Sequence, residues 1–264
     1  MGALAAVSVA PFTFGQSIVL TRRRHALWGD GGPSLRLAHL SDLHFSRAIS
    51  LDHISHAIEL VVREKPDVIC LTGDFVTSFA PNPEGYAQVL RRLSAAAPTF
   101  ACLGNHDGGR WSARRGHAVT PDAVVEILQH ASVDVLRNRS VELSMRGRDF
   151  LLTGVEDLWS FDIDVRDAGF LSDPRPRLVL AHNPDTKDAL ARVPWAMMLC
   201  GHTHGGQIRV PFFGGRLTAP VRDGRYIEGL LPWGERWLHI TRGVGALHGI
   251  RINCPPEVNV LELA

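Results

Sequence analysis

Three times in the first half of this chain a short apolar run breaks into a polar loop and then into a helical period. Arg36-Leu37-Ala38-His39-Leu40 runs into Ser41-Asp42-Leu43-His44. The stretch from Ile49 to Lys65 then places Ile54, Ala57, Ile58, Val61 and Val62 at the spacing of one helix face. Pro66 ends that helix. Asp67 to Leu71 reads as the second strand, with Thr72-Gly73-Asp74 as its exit loop, and Tyr86 to Ala97 as the second helix. Pro98 opens the third strand, Thr99 to Leu103, which leaves through Gly104-Asn105-His106-Asp107. Thr120, as an N-cap with Pro121 in the first helical position, starts a helix that runs to about His130. This order predicts a parallel sheet with crossover helices. Ligands of such sheets bind beyond the carboxyl ends of the strands, where all three polar loops lie.

The second half differs. Ser140 to Met145 and Arg148 to Gly154 read as two strands joined at Arg146-Gly147, followed by an Asp-containing loop from Glu156 to Pro176. Arg177 to Ala181 is a strand that exits into His182-Asn183-Pro184-Asp185, and a short helix covers Thr186 to Ala191. The apolar run Trp195 to Leu199 reads as a buried strand leading into Cys200-Gly201-His202-Thr203-His204-Gly205-Gly206. Arg236 to Thr241 and Glu257 to Leu263 close the chain as strands. With no repeat and no linker, residues 1–264 read as one domain of two packed sheets with helices outside.

Composition narrows the function classes. A chain that is 45% hydrophobic and 21% charged can build a sizeable core. A net charge of only +1 gives no support to a nucleic-acid partner, which usually demands a strongly basic surface. Cys70, Cys102 and Cys200 each sit in an apolar run before a loop, as small core residues do, and fit a reducing, cytoplasmic compartment. Residues 1–34 read as an edge strand or extension. Their broken apolar run, followed by Arg22-Arg23-Arg24-His25, is either a strand with a solvated basic turn or a peripheral contact with anionic lipid, such as an inner membrane.

The polar residues collect on five strand-exit loops: Asp42 and His44; Asp74; Asn105, His106 and Asp107; His182; and His202 with His204. Each group alone has an ordinary reading as a turn, a cap or a core histidine. Together they place five of the thirteen histidines at one end of one sheet system. Seven donors exceed the roughly three that one open catalytic metal needs. Two metals sharing a bridging carboxylate use all seven. Mixed nitrogen and oxygen donors without cysteine suit Mn, Fe or Zn.

This ordered set resembles the calcineurin-like metallophosphoesterases. The motifs stand here as Asp42-Leu43-His44, Gly73-Asp74, Gly104-Asn105-His106-Asp107, His182 and Gly201-His202-Thr203-His204. The resemblance implies a four-layer αββα sandwich, with two mixed β-sheets packed face to face and flanked by helices. It implies two divalent metal ions, Mn first among the options. One would be held by Asp42, His44 and His204, the other by Asn105, His182 and His202, with Asp74 between them. Two metals about 3.5–4 Å apart neutralise phosphoryl oxygens and lower the pKa of a bound water from about 15.7 towards neutrality. His106 is then expected to protonate the leaving oxygen or hold a phosphoryl oxygen. Asp107 is expected to fix its tautomer.

Ala181-His182-Asn183-Pro184-Asp185 and the Gly201 to Pro211 stretch are similar to a bacterial branch of that superfamily. The branch includes membrane-associated phosphodiesterases and a pyrophosphatase that cleaves UDP-2,3-diacylglucosamine in lipid A synthesis. A phosphodiester or pyrophosphate in a small or lipid-linked substrate is the implied target. A phosphoprotein phosphatase and a silent metal-binding scaffold are the rival readings. Arg110 reads either as a phosphate clamp or as an exposed loop arginine, and the surrounding basic loop, with Arg114 and Arg115, as a diphosphate or headgroup contact or a solvated loop. Trp111, Phe212, Phe213, Trp233 and Trp237 read as core residues, as an apolar wall for an acyl chain or as a stacking face for a base.

Overall fold

The structure, a computed structural model, describes residues 17–29, 32–166, 173–209 and 219–264. The chain begins with strand β1 (Val19–His25) and β2 (Leu35–Leu40), followed by helix α1 (Leu51–Arg63), β3 (Val68–Thr72), α2 (Pro83–Ser94) and β4 (Thr99–Cys102). A one-turn helix α3 (Gly109–Ala113), then α4 (Asp122–His130) and a short β5 (Asp134–Val135) complete the first half. The second half contains β6 (Arg139–Met145), β7 (Arg148–Gly154), β8 (Arg177–Leu180), α5 (Thr186–Ala189), β9 (Met197–Cys200), β10 (Gly229–Trp233), β11 (Arg236–Ile240) and β12 (Glu257–Leu263).

These strands form two six-stranded mixed sheets, ordered β1-β12-β2-β3-β4-β5 and β10-β11-β9-β8-β7-β6. β2 to β5 run parallel in the first sheet, and β7, β8, β9 and β11 in the second. Strand side chains alternate between faces, so each sheet offers two apolar surfaces. Leu35, Leu37, Val68 and Cys70 of the first sheet meet Leu152, Leu178, Leu180 and Leu199 of the second in one buried layer. Ala38, Leu40, Ile69 and Leu71 point the other way, onto α1, α2 and α4. The outer face of the second sheet is covered by Leu190, Val193, Trp195 and Tyr226, so its flanking layer is α5 and loops.

Helix α1 illustrates the local logic. Ile54, Ala57, Ile58 and Val61 are buried at the i, i+3, i+4, i+7 spacing, and each isoleucine contributes roughly 1.5–3 kcal/mol through its burial. Ser50 caps the start by accepting from the His53 N–H. The stop falls where expected: Lys65 turns left-handed at φ 50, and Pro66 follows. At the β6–β7 hairpin both Arg146 (φ 54) and Gly147 (φ 69) are left-handed, as a two-residue hairpin turn with this twist requires.

Three local expectations change. Arg22-Arg23-Arg24-His25 lies within the strand β1 and not in a turn after it, because β1 sits at the sheet edge, where long basic side chains remain in solvent. Thr120 does not cap α4: its hydroxyl donates to the Asp122 carboxylate, and Pro121 holds the cap position. β10 was not visible in the sequence, since Pro232 and Gly229 disguise a short outer strand. The four cysteines are buried and free.

Candidate metal centre

Asp42, Asp74, Asn105, His182 and His202 follow the carboxyl ends of β2, β3, β4, β8 and β9. The two sheets therefore aim their exit loops at one place. Asp42, His44, Asp74, His202 and His204 all adopt positive φ, between 47° and 69°. Non-glycine residues reach this region at a cost of order 1–3 kcal/mol, and such positions gather where the surroundings over-determine them. Here the loops must reverse sharply to turn side chains inward. Two motif glycines are demanded by crowding. A Cβ on Gly201 would lie 1.9 Å from Ser41 Oγ and 2.3 Å from Asp42 Oδ2, and one on Gly104 would lie 2.2 Å from Asp74 Oδ1.

The donor atoms converge. Asp42, His44 and His204 each offer an atom within 4.8 Å of the others, and Asp74, His182 and His202 do the same. A third such group, His44, Asp74 and His106, lies between them. His44 Nε2 is 3.1 Å from His204 Nε2 and 3.5 Å from Asp74 Oδ2, and His182 Nε2 is 3.1 Å from Asp74 Oδ2. All seven expected donors are buried.

The donor set fits divalent cations on three observations. Two imidazole nitrogens that face each other at 3.1 Å cannot both carry hydrogens, so they call for a shared proton or a cation. Asn105 Oδ1, His182 Nε2 and His202 Nε2 are buried without a hydrogen-bond partner; His182 Nε2 approaches Asp74 but lacks hydrogen-bond alignment. His182 Nδ1 lies 2.6 Å from the Thr72 carbonyl and donates to it, which leaves Nε2 as the nitrogen facing Asp74, the one a cation would take in place of a proton.

Electrostatics agree. Burial pushes Asp42 up to about 6 and His44 and His202 down to about 3. Asp74 is buried too, yet the neighbouring His182, His106 and His44 hold its carboxyl below the ordinary range. His182 is raised in turn: burial opposes its charge, and Asp74 and Asp42 outweigh burial. Concentrated carboxylate charge thus draws positive charge to this point.

His106 donates its backbone N–H to Asp74 Oδ1 at 2.9 Å, and its ring is bracketed by His44 and Trp111. Its Nδ1 lies 2.6 Å from the Thr77 carbonyl. The expected partner, Asp107, does something else. Its carboxylate accepts from the N–H groups of Gly104, Asp74 and Phe75 at 2.7–2.9 Å and so ties the β3 and β4 exit loops together. Burial beside Asp74 pushes Asp107 up to about 8, and those N–H donors favour the charged form against that push.

The substrate residues divide. Arg110 turns its guanidinium to Asp162 Oδ1 at 2.9 Å and to the Phe161 carbonyl, so the expected clamp becomes a loop tie. Trp111 does reach the site, with its ring 4.5 Å from His106. Trp233 stacks on Trp195 and Trp237 packs against His25, both in core surroundings. Phe212 and Phe213 lie outside the described residues. Two site neighbours escaped the sequence reading. Trp159 packs edge-on against His202 at 4.5 Å. Arg251, buried, donates to His204 Nδ1 at 3.2 Å and to the carbonyls of His204, Arg242, Gly243 and Gly245. Neither stands in a motif; only the fold brings them in.

Comparison with known proteins decides the family. Residues 35–206 match the model of the calcineurin-like phosphoesterase family, a span that contains every donor described above. The chain belongs to this family. It is 44% identical to phosphodiesterase YaeI of Escherichia coli over 245 residues, which cover 92% of this chain and 87% of that protein. It is 26% identical to the UDP-2,3-diacylglucosamine pyrophosphatase LpxG of Chlamydia trachomatis, over 86% of this chain and 83% of that one. The crystal structure of TT1561 of Thermus thermophilus shares the fold, with a TM-score of 0.50 and 14% identity over 80% of this chain and 90% of that one. The family uses a dinuclear divalent metal site, and this chain has candidate groups for it. Among the described residues no helix is long and apolar enough to cross a membrane.

Proposed function

We propose that the chain hydrolyses a phosphodiester or pyrophosphate bond in a small or lipid-linked substrate, with UDP-2,3-diacylglucosamine as a candidate. The reading rests on one observation above all: two three-residue donor groups, each drawing side chains from both sheets, meet around Asp74. Asp42, His44 and His204 would hold one divalent cation, and Asn105, His182 and His202 the other, with Asp74 shared. Mn is the first choice for these mixed oxygen and nitrogen donors, with Fe or Zn as alternatives. When bound, such a pair neutralises the phosphoryl oxygens and supplies an activated water.

The protein's own groups do the rest. His106, with Nδ1 engaged by Thr77, keeps its other nitrogen for a proton at the leaving oxygen or a hydrogen bond to the phosphoryl group. Asp107 acts by fixing the loops that carry Asp74 and His106. Asn105 gives a neutral oxygen, which limits the ligand charge and preserves the electrophilicity of the cations. The pyrophosphatase relative supports a lipid-linked target. Free buried cysteines suit the cytoplasm, and such a target would be met at the inner-membrane surface. A catalytically silent scaffold is disfavoured because no donor is missing.

The test is turnover of a chromogenic phosphodiester and of the matching phosphomonoester, with and without Mn²⁺. The reading expects metal-dependent cleavage with the diester preferred. Inactivity on both, with metals bound, would support the scaffold. Preference for the monoester would favour a phosphatase.

A further inference from the structure

Trp28, Trp195, Trp233 and Trp237 pack into the apolar clusters of the sandwich. The remaining tryptophans, Trp111 and Trp159, belong to none of the clusters and stand half-buried at the donor site. Trp111 lies on α3, beyond the β4 exit of the first sheet. Trp159 lies on the loop that leaves β7 of the second. Their rings are 23° from parallel, with centroids 6.5 Å apart. Trp111 rests 4.5 Å from His106, and Trp159 meets His202 edge-on at 4.5 Å. An aromatic arc therefore links the candidate proton donor to a candidate metal ligand.

The arc is held in place. Arg110 N–H donates to the Ser160 carbonyl at 3.0 Å, and the Arg110 side chain to Phe161 and Asp162. Gly109, at φ +81, is packed so closely that a Cβ would stand 2.6 Å from the Ser160 carbonyl oxygen. Asp157 Oδ2 accepts from the N–H groups of Trp159 and Ser160, which fixes the turn that presents Trp159. Arg115 lies over Trp111, with its guanidinium carbon 3.7 Å from the ring centroid. Two rigid indoles beside a phosphoryl site suit a flat ring, because stacking needs a preset face and little else.

We propose that Trp111 and Trp159 form a seat for a flat aromatic ring on the substrate, a nucleobase or an aryl group, beside the phosphoryl group. This rests on the phosphohydrolase reading above. An acyl chain would gain apolar contact there but not the stacking geometry, so the ring is the better fit.

The test measures binding apart from turnover. Uridine 5′-monophosphate, phenyl phosphate and ethyl phosphate are titrated by calorimetry into the Zn²⁺-loaded full chain. Stacking is worth roughly 1–3 kcal/mol per base, so the aromatic phosphates should bind about 5- to 150-fold more tightly than ethyl phosphate. In Trp111→Ala/Trp159→Ala the aromatic phosphates should bind no more tightly than ethyl phosphate. If the alanine pair does not fold, Trp111→Leu/Trp159→Leu removes the aromatic faces and keeps apolar volume. An advantage of the uridine compound over the phenyl one assigns the seat to a nucleobase; equality assigns it to any aryl ring. Equal affinity for all three phosphates in the wild type overturns the seat, as does an aromatic preference that survives both substitutions. Failure of the hydrolase reading is seen separately: no phosphodiester is cleaved, whatever the binding preference.

Discussion

Around Asp42, His44 and His204 the donors are braced by a side chain from far along the chain; around His182 the brace is a main-chain oxygen. Arg251 reaches His204 and gathers carbonyls of the 242–245 loop, whose Gly245 N–H donates to the Asp42 carbonyl. On the other side, the Thr72 carbonyl at the end of β3 receives the His182 ring hydrogen and the Ser41 hydroxyl. The first arrangement depends on one residue that a single substitution removes. The second survives any substitution that keeps β3 in place. Asp74 stands between them and serves both.

That difference can be broken from the middle outward. Asp74→Ala removes the shared carboxylate, so turnover should fall below detection, and metal analysis should find both halves depleted. His106→Ala should cut turnover by about 10²- to 10⁴-fold, the range for a lost proton donor, with metal content nearly intact. If His106→Ala empties the site instead, its assignment as a proton donor fails.

Arg251→Ala sharpens the contrast through stability. It leaves buried carbonyls without donors, each costing about 1–3 kcal/mol, so denaturant unfolding should show a loss of about 3 kcal/mol or more. Thr72→Val is the counterpart. It keeps the carbonyl that holds His182 and loses only the hydroxyl contact to His39 Nε2, at 2.8 Å. A cost of about 1–3 kcal/mol, for the single buried ring nitrogen left unpaired, and unchanged metal content are expected. Comparable losses in the two variants would erase the proposed difference.

A second buried pair gives a pH test. His39 and His239 meet at 2.9 Å through their Nδ1 atoms between the sheets. Burial lowers His39 well below its ordinary value, and lowers His239 to about 3. Below about pH 6.5 the unfolded chain therefore takes up protons that the folded pair refuses. Their contribution is complete above that pH and is lost as pH falls towards the folded values, by up to about 1.4 kcal/mol per unit for each histidine. In metal-stripped protein, His39→Leu/His239→Leu should flatten the fall in stability between pH 6.5 and 5. An unchanged slope would contradict the assignment.

Most of the donors were legible because they sit on strand exits with a fixed neighbour: Asp74, Asn105 and His202 each follow a glycine, and the pairs Asp42–His44 and His202–His204 are each separated by one residue, whereas His182 stands out only through its place in the ordered set. The strands and helices that aim them were legible from period and from Pro66 and Pro98. Asp107 was not legible in its actual role, since adjacency to His106 suggests a contact that the backbone turn prevents. Arg251 and Trp159 carry no local pattern; their positions depend on how β11, β12 and the β7 loop pack. The basic run 22–25 misled because charge suggests a turn, whereas an edge strand tolerates it as well.

The central claim is that side chains from two sheets converge on a pair of cations with Asp74 between them. Anomalous diffraction from Mn²⁺-soaked crystals tests it most directly. Two peaks about 3.5–4 Å apart, flanking the Asp74 carboxylate, are predicted. A single peak, or peaks away from Asp74, would contradict the account.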